Sequence, residues 1–248
     1  MKRGQVTIFI IVGILLVVGI IAILIFSNRV IVAPQVSEDP RSFVRSCVSD
    51  LVEDSLEKIM MNGGVAIPSF AISYQGDEWN YLCHQADYYL SCYNFHPMLE
   101  EEMESEIVRD TAEGIRECFD SMRLEFEDRG YDISGEATVY SVDLLPGFIE
   151  INIEKDILLS SDDSSKNYND FGFEMFSSAY DLVSVARLIV NDESQFCNFE
   201  YNGYMLLYPK YDIRRIDYKD NKLYQIMDRK SGEKFRLAIK SCSFPPGI

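Results

Sequence analysis

An uninterrupted apolar stretch at residues 6–26 constrains the chain most. It reads VTIFIIVGILLVVGIIAILIF, and Thr7 is its one polar side chain. A helix of roughly 20 apolar residues crosses a bilayer core about 30 Å thick, and it pairs its own backbone amides. The stretch exceeds the apolar part of an ordinary secretory signal, and no small-residue cleavage motif follows it. We therefore expect a transmembrane helix over 6–26 in contact with the lipid bilayer, rather than a buried core helix.

The flanking charges predict an orientation. Lys2 and Arg3 precede the stretch, whereas Arg29 follows it and the next cation is Arg41. Short positively charged segments stay in the cytoplasm. We expect a cytoplasmic stub at residues 1–5 and a single-pass protein of the cell membrane with an extracytoplasmic C-terminal domain.

A linker at residues 27–39 contains Pro34, and a domain is expected over 40–248, with 40–130 and 131–248 as its two halves. From residue 30 onward, 20 Lys and Arg (23 less Lys2, Arg3 and Arg29) stand against 40 Asp and Glu, so this part of the chain carries a net charge of −20. This charge repels phosphate backbones and anionic headgroups, which excludes nucleic acid as a partner.

The motif Lys2-Arg3-Gly4-Gln5, placed directly before the apolar stretch, resembles the class III signal peptide of archaeal type IV pilin-like proteins. The resemblance implies cleavage between Gly4 and Gln5, retention of the apolar stretch and assembly into a homo-oligomeric filament. Phe9 stands where bacterial pilins have a glutamate. Pro34 and Pro40 interrupt the helix that pilins continue into their outer domain. The rest of the chain resembles single-pass archaeal surface proteins, which imply no activity.

Hydrophobic periodicity predicts an α+β domain. Spacings of three and four predict helices at 40–61, 98–128 and 178–190, the first two packed as a pair. Alternation predicts strands at 137–144 and 148–157 around Pro146-Gly147, and further strands at 171–176, 211–217, 222–227 and 235–239. Residues 65–95 are expected to hold strand fragments, and 160–170 a polar loop. We expect one antiparallel sheet, mainly after residue 130.

All six cysteines lie beyond the apolar stretch, where an even number favours disulfides. No Cys-x-x-Cys motif is present, which removes the usual sign of a redox enzyme. Six cysteines allow many pairings. We expect Cys83–Cys92 around a short loop and Cys197–Cys242 across the last strands, which leaves Cys47–Cys118 between two helices.

The strongest binding candidate is an aromatic segment over residues 65–95. Its exposed rings are expected to stack on a glycan or to contact a protein partner. The alternative is that the rings fill a small core around the Cys83–Cys92 loop. The candidate residues are Trp79, Tyr81, Tyr88, Tyr89 and Tyr93.

Two sets of residues have metal-ligand chemistry, and neither is expected to bind an ion. Cys83, His84, Cys92 and His96 are zinc-ligand types, but adjacent Cys83 and His84 suit one ion poorly. Asp163, Ser165, Asn167, Asn169 and Glu174 fit a calcium-loop frame, but Tyr168 stands where that loop needs glycine. The glutamates at 100–106 are expected to form a solvated helix face.

No nucleophile elbow, zinc-protease or phosphate-loop motif occurs, so we expect neither an enzyme nor a cofactor. A hydrolase using two carboxylates is the remote alternative. The sequence predicts a membrane-anchored, disulfide-bonded surface protein with a binding or structural role. The main alternative is a pilin-like filament subunit processed after Gly4.

Overall fold

A computed structural model describes residues 39–135, 139–161 and 164–244. Residues Asp39–Ile248 form one compact unit. The expected fold with one membrane-spanning helix needs correction, because no helix within the described residues is both long and apolar enough to cross a bilayer. The stretch 6–26, the Gly4–Gln5 junction and the linker up to residue 38 lie outside those residues.

Four helices occur in the described residues: α1 (Pro40–Met61), α2 (Leu99–Asp128), α3 (Ala179–Phe196) and α4 (Tyr201–Leu207). Helices α1 and α2 pack on each other through their apolar stripes. Gly114 permits this approach, because a Cβ at that position would lie 2.9 Å from Leu51 Cδ1. The glycine that weakens α2 locally therefore serves the packing of the pair.

The first sheet has six strands. They are β1 (Ala71–Tyr74), β2 (Asp77–Gln85), β3 (Cys92–Asn94), β9 (Tyr211–Tyr218), β10 (Asn221–Asp228) and β11 (Lys234–Lys240). Their order is β1-β2-β11-β10-β9, and β3 also pairs with β2. Strand β11 runs parallel to β2, so this sheet is mixed and the prediction of one antiparallel sheet is wrong. Local patterns reveal hairpins, whereas a parallel pair joins strands that are distant in sequence.

The second sheet is built around the 14-residue strand β6 (Phe148–Ser161), which pairs antiparallel with every other member. The others are β4 (Asp132–Gly135), β5 (Val139–Leu145), β7 (Ser164–Asp170) and β8 (Phe173–Phe176). The β5–β6 hairpin turns at Pro146-Gly147, as its sequence predicts. The polar loop predicted over 160–170 is wrong, because β6 continues to Ser161 and β7 pairs with it. Over residues 165–170 the one buried side chain is that of Tyr168, so this polar strand is held mainly by its backbone pairing with β6.

The main core lies between the helices and the inner faces of both sheets. A smaller cluster of Trp79, Tyr81, Leu223 and Ala238 packs separately on the first sheet. The three disulfides join Cys47 to Cys118, Cys83 to Cys92 and Cys197 to Cys242, the same pairs that the sequence favours. No cysteine of the described residues is free, which marks the domain as extracytoplasmic.

Candidate functional site: an aromatic face on the first sheet

The five predicted aromatic residues fall into separate environments. Trp79 and Tyr81 are buried, with 3% and 7% of their surface exposed. Tyr88 is half-buried, whereas Tyr89 and Tyr93 are exposed. The alternative interpretation, rings filling a small core, therefore holds for Trp79 and Tyr81.

A contiguous group of rings lies where β2 meets β3. We call it the aromatic face, and it comprises Phe70, Tyr81, His84, Tyr93 and Phe95. The Phe70 ring centroid lies 4.9 Å from that of Tyr81, 5.0 Å from that of His84 and 5.8 Å from that of Phe95. Tyr93 is the direct cross-strand neighbour of His84. The Phe70 ring meets those of His84 and Phe95 edge to face, an arrangement that aromatic pairs prefer.

The backbone beneath these rings is held on both sides. Strand β2 pairs with β3 and β11 at Cys83 and His84, and the Cys83–Cys92 disulfide crosses from β2 to β3. Below the surface, the Tyr81 hydroxyl donates a hydrogen bond to Asn221 Oδ1 at 2.8 Å. Burial raises the pKa of Tyr81 to about 12, so the phenol stays protonated and keeps this bond. The face is therefore a pre-organised surface.

His84 adds a polar group to the face. Burial lowers the pKa of its imidazole, and the positive charge of Lys240 lowers it further. The ring is therefore neutral at neutral pH, with one nitrogen that donates and one that accepts a hydrogen bond.

Trp79 supports the small cluster under the sheet surface. Its ring lies 5.1 Å from the Arg236 guanidinium, which also pairs with Asp77 at 2.7 Å. The buried indole N–H has no hydrogen-bond partner among the described residues. Trp79 thus contributes packing and a cation–π contact, at the cost of one unpaired donor.

Tyr88 and Tyr89 belong to a second group near the C-terminus. The Tyr89 ring lies 5.3 Å from that of Phe244, and Lys240 Nζ lies 5.8 Å from the Tyr88 ring centroid. Of the five predicted residues, only Tyr81 and Tyr93 contribute to the aromatic face.

Sequence reasoning missed Phe70 and Phe95 as members of the face. Neither lies within a strand, and each reaches the face through a backbone hydrogen bond to β2. Tyr81 N donates to Phe70 O, and Phe95 N donates to Leu82 O, both at 2.9 Å. The sequence signal that could have identified them is the presence of aromatic residues on each side of the Cys83–Cys92 loop.

The described residues contain no cluster of three or more His, Cys, Asp or Glu side chains suited to a metal ion. Cys83 and Cys92 are bonded to each other, while His96 Nδ1 lies 2.5 Å from Glu102 Oε2. The calcium frame falls on extended strands β7 and β8, where Ser165, Asn167 and Asn169 lie in a line along one strand face and do not encircle an ion. Asp163 lies outside the described residues.

Comparison with models of protein families, with curated proteins and with solved structures found no match to this chain.

Proposed function

We propose that this chain is a surface protein that acts outside the cytoplasm and binds a partner through the aromatic face. The three disulfides support the location, because such bonds persist in oxidising compartments. Retention at the cell membrane through the apolar stretch 6–26 belongs to the same proposal and rests on the sequence.

One observation carries the binding role. Tyr93 on β3, and Phe70 and Phe95 beside the β2–β3 pair that a disulfide braces, expose 62%, 45% and 49% of their surface. Exposed aromatic side chains that are held rigidly bind with little loss of conformational entropy.

The chemistry of the face suits a glycan or an apolar patch of a protein. Sugar rings stack on aromatic rings, and neutral His84 offers hydrogen bonds to hydroxyl groups. The net charge of −17 disfavours a nucleic acid.

The test compares two double variants of the full chain. Phe70→Ser with Phe95→Ser removes the exposed rings, while Leu124→Ser with Leu188→Ser removes two exposed leucines on α2 and α3. Binding is measured on a glycan array and on isolated cell envelopes. Loss of ~10-fold or more with the first pair alone supports the proposal, since each buried ring contributes ~1–3 kcal/mol. Equal binding by wild type and the first pair contradicts it.

A pilin-like filament subunit is the second candidate, and the Lys2-Arg3-Gly4-Gln5 junction favours it. Intact mass spectrometry of protein from native membranes tests this. Loss of residues 1–4, together with surface fibres seen by electron microscopy, supports a filament subunit. An uncleaved chain excludes it.

A further inference from the structure

The second sheet has a polar outer face that is distinct from the aromatic face. Inward-pointing residues of β5 and β6, such as Val142, Ile149 and Ile151, are almost fully buried in the core. The side chains between them point outward, because neighbours in a strand alternate between faces.

The register of β5, β6 and β8 arranges these outward side chains in rows. Leu145, Phe148 and Phe176 are direct neighbours across three strands and form an apolar row at one end. Phe176 is 99% exposed. This row offers an uncovered apolar contact beside the polar part of the face.

The next row consists of three carboxylates. Asp143 lies opposite Glu150, which lies opposite Glu174. Like charges placed directly across a ladder destabilise a sheet. Asn152 Nδ2 donates to Asp143 Oδ2 at 3.1 Å, which offsets part of this repulsion.

Further along the face, Glu154, Asp156 and Asp170 line an open depression. Lys155 lies between two of these acids in the chain and also lines the depression, and its ammonium lies 5.3 Å from the Phe119 ring centroid, on α2. Within the described residues, neither these three acids nor the three carboxylates Asp143, Glu150 and Glu174 form an ion pair. Some acids elsewhere are paired, as Asp110 is with Lys58 and Asp181 with Lys210.

We propose that this outer face, here called the acidic face, binds a basic segment of a partner protein. The carboxylates without ion pairs supply charge complementarity, and the row ending in Phe176 accepts an apolar side chain. Successive rows along β6 are about 6.7 Å apart, which is the spacing of alternate side chains in an extended segment. Ser141 and Asn152 form an uncharged row between the two acidic rows. An extended segment whose alternate side chains are apolar, basic, neutral and basic therefore matches the four rows. This surface is separate from the proposed function and stands if that function fails.

The experiment uses the oxidised full chain in neutral detergent. The probe is a synthetic peptide in which leucine, lysine, serine and lysine occupy successive alternate positions, so that all four side chains point to one face of the extended peptide. Glu150→Gln with Glu174→Gln removes two charges from the acidic face. Glu113→Gln with Glu117→Gln removes two charges from α2 and leaves the net charge equal to that of the first pair. We measure peptide affinity by fluorescence anisotropy at two salt concentrations.

We expect the first pair to weaken binding ~10-fold and the control pair less than ~2-fold, with salt weakening wild-type binding. Phe176→Ser is expected to weaken binding ~5-fold. The Glu150→Gln and Glu174→Gln pair should also raise the unfolding temperature, because it relieves repulsion between carboxylates. Such a rise would show that the weaker binding does not result from misfolding.

Equal weakening by both charge pairs would show that net charge alone attracts the peptide, and it would overturn the proposal. The chain could instead fail to bind the peptide and self-associate in a way that Phe176→Ser abolishes. This result would identify a second copy of the chain as the occupant of the acidic face and would also overturn the proposal.

Discussion

At the scale of single residues, Trp79 and Tyr81 differ in one respect that matters for stability. Both are buried on the same strand and in the same small cluster. The Tyr81 hydroxyl is paired with Asn221, whereas the Trp79 indole N–H has no partner among the described residues. A buried unpaired donor costs about 1–3 kcal/mol.

Replacement of each residue by phenylalanine should therefore have different effects. Tyr81→Phe leaves the Asn221 oxygen without this donor and should cost about 1–2 kcal/mol of unfolding free energy. Trp79→Phe loses packing but also removes the unpaired donor, so we expect a net change below ~1 kcal/mol. Chemical denaturation of both variants measures this. A larger loss for Trp79→Phe than for Tyr81→Phe would show that the indole N–H is satisfied.

His84 makes stability depend on pH. Its pKa in the folded protein lies below the ordinary value of 6.5, so the unfolded chain binds more protons in the window between the two values. This contribution is complete above pH 6.5 and is lost as the pH falls through the lowered pKa. We expect His84→Gln to reduce the drop in urea midpoint between about pH 7 and about pH 5. An unchanged drop would contradict the role of His84.

At the scale of elements, local patterns predict most helices and hairpins, and long-range contacts decide the rest. The β9–β10 and β10–β11 hairpins follow from alternation and turn residues. The parallel β2–β11 pair does not, because no local pattern connects strands so far apart. Likewise, α4 has no buried residue, so no apolar stripe reveals it.

The start of α3 shows the same dependence on distant residues. The sequence predicts Ser177 or Ser178 as the cap of this helix. Ser177 Oγ accepts a hydrogen bond from Ala179 N at 3.0 Å, whereas the Ser178 side chain makes no capping bond. Glu233, from the β10–β11 turn, instead accepts hydrogen bonds from Ser178 N, Ser178 Oγ and Ser177 Oγ, each 2.6 Å long. A carboxylate at a helix N-terminus satisfies free amides and opposes the helix dipole.

We predict that Glu233→Ala lowers the unfolding free energy by about 2 kcal/mol, because it removes a cap and three charge-assisted bonds. Glu200 caps the short α4 through one long bond of 3.4 Å to Gly203 N, so Glu200→Ala should cost less than about 1 kcal/mol. Thermal unfolding of the two variants checks the difference. Equal losses would mean that Glu233 does not stabilise α3.

At the scale of the whole molecule, the disulfides connect elements that the chain leaves far apart. Cys47–Cys118 joins α1 to α2, and Cys197–Cys242 joins the end of α3 to the residues after β11. The cysteine pairings were predictable from the positions of the cysteines around loops and on the apolar stripes of the helices. The aromatic face was predictable only in part, since register across β2 and β3 decides which rings meet.

The unfolding free energy that is lost when a disulfide is removed by paired Cys→Ser replacement should increase with the length of the loop that the disulfide closes. The sequence separations are 71 for Cys47–Cys118, 45 for Cys197–Cys242 and 9 for Cys83–Cys92. The chain-entropy model gives about 4 kcal/mol for each long loop and about 2.5 kcal/mol for the short one. Denaturation midpoints of the three double variants should show the smallest loss for Cys83–Cys92. A larger loss there would show that packing around the short loop outweighs the entropy of the unfolded chain.

We infer that this domain folds outside the cytoplasm with all six cysteines paired. Non-reducing peptide mapping of the full chain, taken from the envelope of the cells that make it, tests this most directly. We predict three cross-linked peptide pairs, Cys47 with Cys118, Cys83 with Cys92 and Cys197 with Cys242. Recovery of six free thiols would contradict the inference.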